Sequence, residues 1–158
     1  MRVLFVCTGN ICRSPTADAV ARSRVAGLGL DWTVDSAGTG GWHEGEAPDP
    51  RAIEAGARRG YDLASLRARA VEIADFTRFD HIIALDRGHE RYLRRMAPSG
   101  MGAQISRLMV WAGPGVPLDV PDPYYDDGDA FTDVLDLVER GIDGFIAAHD
   151  GQGRQPSG

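Results

Sequence analysis

The sequence predicts a single α/β domain in which a four-stranded parallel sheet carries helices on both faces. Three observations lead there. Short, nearly continuous apolar runs alternate with segments of helical spacing, the pattern of strands buried on both sides and joined by crossover helices. The 158 residues fit one core rather than two. The turn that follows the first apolar run opens directly into helix-start signals, and sheets of this kind bind ligands beyond the carboxyl ends of their strands.

Arg2-Val-Leu-Phe-Val-Cys7 reads as the first, doubly buried strand. Thr8-Gly9-Asn10 is turn chemistry, and Ser14-Pro15 reads as an N-cap followed by proline at the first helical position. Ala17, Val20, Ala21, Val25 and Leu28 keep near-helical spacing until Gly27 and Gly29 end the helix. Trp32 to Ser36 is a second strand, and the glycine-rich stretch 37–48 is a long loop. Asp49-Pro50 repeats the cap signal for a helix reaching about Arg59, with Gly60 as its stop. His81 to Leu85 is the third strand, Gly88 to Met96 a helix closed by Pro98, and Ile105 to Trp111 the fourth strand. Gly113 to Gly128 is a loop with four prolines. A last helix, Phe131 to Ala148, carries a strong apolar face through Val134, Leu135, Val138, Ile142, Phe145 and Ile146. The tail 151–158 reads as disordered, which leaves residues 1–150 as the domain.

Composition removes several classes of function. A net charge of −6 disfavours a nucleic-acid partner, which needs a basic face. The chain has no lysine, so neither Schiff-base nor Walker A chemistry is open to it. No run approaches the roughly 18 apolar residues of a membrane span. The apolar start Val3–Val6 is too short for a signal peptide, so the expected location is cytoplasmic. Cys7 and Cys12 are the only cysteines, which is no disulfide scaffold, and their spacing suits catalytic or redox partners better than a metal pair. No metal or cofactor is expected. His43, His81, His89 and His149 have no clear catalytic role and read as surface or satisfied side chains.

The chemistry concentrates in Cys7-Thr8-Gly9-Asn10-Ile11-Cys12-Arg13-Ser14, a Cys-x₅-Arg-Ser pattern between strand and helix. A loop of this length can turn successive backbone N–H groups inward and, with the helix N-terminus, cradle a phosphate-like dianion. Gly9 permits a backbone conformation that a side chain would obstruct. Arg13 can offer a planar fork to two phosphate oxygens. Cys7 would lie at the floor of this positive cradle, where the field favours its thiolate, and Ser14 could hydrogen-bond the sulfur. Cys12 could capture oxidised Cys7 as a reversible disulfide, or serve simply as a small packing residue.

The segment Cys7–Pro15 closely resembles the signature of the low-molecular-weight protein tyrosine phosphatases. Asp35-Ser36-Ala37-Gly38-Thr39 resembles that family's second-strand segment and Asp122-Pro123-Tyr124-Tyr125 its acid loop, so the likeness covers roughly residues 2 to 149. It implies a flavodoxin-like strand order, 2-1-3-4, in a phosphatase domain spanning 1–150. It implies hydrolysis of phosphotyrosine through a cysteinyl-phosphate, with Cys7 as nucleophile, Arg13 as phosphate clamp and Asp122 as general acid and later base. The loop Asp119–Asp127 offers several carboxylates, and the choice of Asp122 rests on the resemblance. Thr8, Gly9, Asn10, Ile11, Cys12 and Ser14 would line the cradle, Trp42, Tyr124 and Tyr125 would wall the cleft, and Ser36 with Asn10 would brace the loop. Partners would be phosphotyrosine proteins, small aryl phosphates and oxyanions, with the chain a monomer or weak dimer. The sequence departs from the family at one point. Leu66-Arg67-Ala68-Arg69 stands where members often carry His-x-Ala-Arg, so something else must orient Asn10. Two other readings are an arsenate reductase on the same scaffold, whose thiol relay would need cysteines beyond Cys12, and a noncatalytic phosphopeptide-binding module.

Overall fold

The computed structural model describes residues 1–126 and 128–150; the tail expected to be disordered lies outside the described residues. The described strands are β1 (Arg2–Cys7), β2 (Thr33–Gly38), β3 (His81–Ala84) and β4 (Gln104–Arg107). The helices are α1 (Arg13–Leu28), α2 (Pro50–Ala57), α3 (Asp75–Arg78), α4 (Arg87–Met96) and α5 (Gly128–His149). All strand pairs are parallel and the order is β2-β1-β3-β4, as expected.

Strand alternation divides the interior into two cores. Val3, Phe5 and Cys7 face one layer, where α1, α2 and α5 supply Val20, Ala52, Phe131, Val138 and Phe145. Leu4 and Val6 face the other, with Phe76 of α3 and Leu93 of α4. Because β1 is central and covered on both sides, its carboxyl end is held from two directions. Near the opposite end of the sheet, Phe145 gathers Trp32, Trp111, His81 and His149 into an aromatic cluster with ring centroids 4.2 to 5.9 Å from it.

Several boundaries differ from expectation for identifiable reasons. The apolar run Ile105–Trp111 is strand only to Arg107. Leu108–Trp111 is a 3-10 turn that buries Leu108 and Met109 in succession, which the alternation of a strand does not allow. The short α3 has no counterpart in the sequence reading; four residues are too few for periodicity to register. Helix α1 starts at Arg13 with Cys12 as its N-cap, so Ser14 is not the cap but a residue of the first turn, its hydroxyl engaged elsewhere. The Asp49 cap is present and accepts from the Arg51 backbone N–H.

Candidate active site

The loop 8–12 leaves β1 and turns into α1 over the carboxyl edge of the sheet. Among the described residues, the backbone N–H groups of Gly9, Asn10, Ile11 and Cys12 donate to no protein acceptor. They are free for an anion, beside the N-terminus of a 16-residue helix. Cys7 is buried at the base of the loop, its Sγ 2.9 Å from Ser14 Oγ. Above it opens a cleft of about 230 Å³ lined by Cys7, Thr8, Gly9, Ile11, Cys12, Arg13, Trp42, His43, Asp122, Tyr124 and Tyr125. The side chains of Asn10, Ser14 and Ser36 do not line it; they lie on the far side of the loop from the cleft and hold its shape.

Among the described residues, Asn10 is the one non-glycine with positive φ, at 58°, so the left-handed turn of the loop falls here rather than at Gly9. Asparagine tolerates this conformation better than most side chains. Gly9 serves a different need, since a Cβ there would stand 3.0 Å from Cδ2 of His43. The Asn10 amide donates to Ser14 Oγ at 2.7 Å and Ser36 Oγ at 3.0 Å. Its Oδ1 accepts from the backbone N–H of Arg69 at 3.0 Å. Leu66, at the position where the resemblance led us to expect a histidine, packs on the core, and the main-chain N–H three residues later holds Asn10. Arg69 is fixed in turn by Asp75, fully buried, and by Asp35.

Arg13 is 4% exposed. Its Nη1 donates to Asp86 Oδ2 at 2.8 Å and to the carbonyl of Val120 at 3.0 Å. Nη2 lies 3.4 Å from Thr8 Oγ1, 3.4 Å from His89 Nε2 and 3.7 Å from Asp122 Oδ2. Burial alone would raise the Asp86 pKa, but the His89 backbone N–H and Arg13 outweigh it and hold the carboxyl below the usual range. Sequence reasoning missed both Asp86 and His89. The available signal was their place just past the third strand, at the sheet edge where ligands bind.

Of the described carboxylates in the loop after Gly113, the geometry singles out Asp122. Asp119 is tied to Arg87 and Arg107, whereas Asp122 lies on the cleft with half its side chain exposed, its Oδ1 accepting from the Tyr124 N–H. The loop is anchored on both sides of it. Val120 N–H donates to the Leu85 carbonyl, and Arg51 donates to the carbonyls of Tyr124 and Asp126 while lying over the Tyr124 and Phe131 rings. Trp42 is 72% exposed and lies across the α-carbon of Gly40, a position that any Cβ there would block. Trp42 and Tyr125 form outer walls of the cleft, and Tyr124 meets Tyr125 edge to face at 4.9 Å. Cys12 packs against the core as a free thiol. Burial first, then the negative charges of Asp49, Cys7 and Asp122, push its pKa up to about 12.

The family model described as low molecular weight phosphotyrosine protein phosphatase matches residues 2–154. The low molecular weight protein-tyrosine-phosphatase of Streptomyces coelicolor is 52% identical over 152 residues, covering 93% of this chain and 92% of that protein. The low molecular weight phosphotyrosine protein phosphatase of Schizosaccharomyces pombe is 45% identical, covering 88% and 91%. Among solved structures, a protein tyrosine phosphatase from Entamoeba histolytica with Hepes in its active site superposes with a TM-score of 0.90 at 35% identity, covering 96% of this chain and 99% of that one.

Proposed function

The chain belongs to the low molecular weight phosphotyrosine protein phosphatase family, and on that premise we propose how its residues divide the work of the hydrolysis. Cys7 Sγ attacks phosphorus, forming the S–P bond as the bond to the aryl oxygen breaks. The Asp122 carboxyl gives its proton to the departing oxygen. Asp122 then takes a proton from water as that water attacks the cysteinyl-phosphate, and the Cys7 thiolate leaves with Ser14 Oγ hydrogen-bonded to it. The cradle N–H groups, the N-terminus of α1 and the Arg13 fork meet the charge on the transferring oxygens.

One observation carries this reading: a buried thiol 2.9 Å from Ser14 Oγ faces the same cleft as a half-exposed carboxylate poised 3.7 Å from the buried arginine. The aromatic rim supports aryl phosphates over short alkyl ones, because a phenyl ring can lie between Trp42 and the tyrosine pair while its phosphate reaches the cradle. Phosphotyrosine proteins are therefore the proposed partners and a monomer or weak dimer the proposed state. A cytoplasmic location is part of the proposal. Among the described residues, no helix is long and apolar enough to cross a membrane. Residues 1–150 are proposed as the phosphatase domain. The thiol relay of an arsenate reductase has no support, since no cysteine follows Cys12.

The test is hydrolysis of aryl phosphates without added metal. Cys7→Ser should abolish turnover yet still bind vanadate, and Asp122→Ala should slow poor leaving groups by about 100-fold or more, good ones far less. A Cys7→Ser enzyme turning over near the native rate, or equal slowing of all leaving groups by Asp122→Ala, refutes the respective assignment.

A further inference from the structure

His89 is 4% exposed in the first turn of α4, where nothing in the mechanism above employs it. Its ring contacts are nevertheless all made to the machinery. Nε2 is 2.8 Å from Thr8 Oγ1 and 3.4 Å from Arg13 Nη2. Nδ1 is 3.2 Å from Asp86 Oδ1 but out of hydrogen-bond alignment, and it has no other partner among the described residues.

The proton positions follow from what each group can do. A guanidinium nitrogen only donates, so Nε2 must present its lone pair, and the ring proton sits on Nδ1 on the Asp86 side. Thr8 donates its hydroxyl hydrogen to Nε2, which leaves its own lone pair toward Arg13 Nη2 at 3.4 Å. A neutral ring is required, and burial first, then the Arg13 charge, push the His89 pKa down to about 4. The other end of the guanidinium is held independently, Nη1 by Asp86 and the Val120 carbonyl. Without His89, Nη2 would keep only the weak Thr8 contact and the distant Asp122 carboxylate, and the plane of the fork could turn about Nη1.

We propose that His89 is a positioning residue for the phosphatase reaction: a neutral acceptor that locks the Thr8 hydroxyl and Arg13 Nη2, holding the fork in the plane the transferring phosphoryl group needs. The proposal rests on Arg13 being the phosphate clamp. Its benefit is preorganisation, so it is felt more in the transition state than in ground-state binding.

The experiment compares wild type, His89→Leu and His89→Gln on an aryl phosphate, with inhibition by vanadate and by inorganic phosphate. Glutamine can return an acceptor oxygen near the Nε2 position; leucine cannot. His89→Leu should lower kcat by about tenfold or more with KM changed less than about threefold. Vanadate inhibition should weaken in parallel, phosphate inhibition hardly at all, and His89→Gln should recover most of the loss. Equal losses in both variants, or a Leu variant with native kcat and vanadate affinity, overturn the proposal. Should the Leu variant not fold, side-chain nitrogen NMR of the wild type decides at pH 7. A neutral ring protonated at Nδ1 is expected, and a ring protonated at Nε2, or at both nitrogens, overturns it. An inactive wild type would instead refute the parent reading, so the two failures are distinguishable.

Discussion

Replacing Asn10 by alanine and, separately, by glycine divides what holds the cradle into two measurable parts. The native side chain is 2% exposed, adopts φ 58°, and makes three hydrogen bonds, to Ser14, Ser36 and the Arg69 N–H. Each such bond is worth about 1 kcal/mol net, and leaving the part-buried Arg69 N–H without its acceptor adds about 1 kcal/mol more. Alanine also incurs about 1 kcal/mol for its Cβ in the left-handed region, which glycine avoids. Asn10→Ala should therefore lose about 5 kcal/mol and Asn10→Gly about 4 kcal/mol. Urea unfolding of the three proteins, fitted with a common m-value, reads both numbers, and vanadate affinity should weaken in both variants as the loop loses its shape. Losses below about 1 kcal/mol would show that the brace is not structural. An alanine variant at least as stable as the glycine one would refute the argument from backbone strain.

Two further outcomes follow from other contacts. The folded pKa of His89, about 4, lies below its unfolded value of roughly 6.5. The unfolded chain therefore takes up this proton first, and stability present above pH 6.5 is lost as pH falls toward 4, by about 3 kcal/mol. His81, lowered by burial and by His149, acts in the same sense, and Asp18, raised by burial, in the opposite one. The His89 share is thus the difference between the pH–stability curves of wild type and His89→Gln, and parallel curves would count against it. Arg51→Met cuts the ties to the Tyr124 and Asp126 carbonyls. It should slow phenyl phosphate hydrolysis by about tenfold and p-nitrophenyl phosphate much less, since what is misplaced is the proposed proton donor, Asp122; equal slowing would mean Arg51 does not act through the acid loop.

The cradle was legible in the sequence because it is contiguous. Eight residues carry the thiol, the turn, the fork and the helix start, and local chemistry joins them without help from the fold. The two-sided core was legible for the same reason, since the unbroken apolar run of β1 calls for cover on both of its faces. Ser14 was misread because Ser-Pro signals a cap wherever it occurs, whereas here the Cys7 sulfur claims the hydroxyl. Of the supports of Asn10, Ser36 was expected from the resemblance; the Arg69 contact was invisible, because its donor is a backbone N–H, which no letter encodes. Asp86 and His89 were missed because they reach Arg13 only once β3 has paired with β1 and brought the start of α4 beside the loop. An isolated histidine in a helical stretch gives no hint of such a neighbour.

The three tryptophans occupy two quite different settings. Trp32 and Trp111 lie in the aromatic cluster around Phe145, far from the cleft, while Trp42 rests on Gly40 at its mouth and is largely open to water. The molecule thereby contains two optical probes with separate meanings. Emission from the cluster reports whether the chain is folded, and a quencher dissolved in the buffer reaches Trp42 first. An aryl phosphate bound in the cleft as proposed would shield that indole, so occupancy would be read as loss of quenching in an unlabelled protein, independently of turnover.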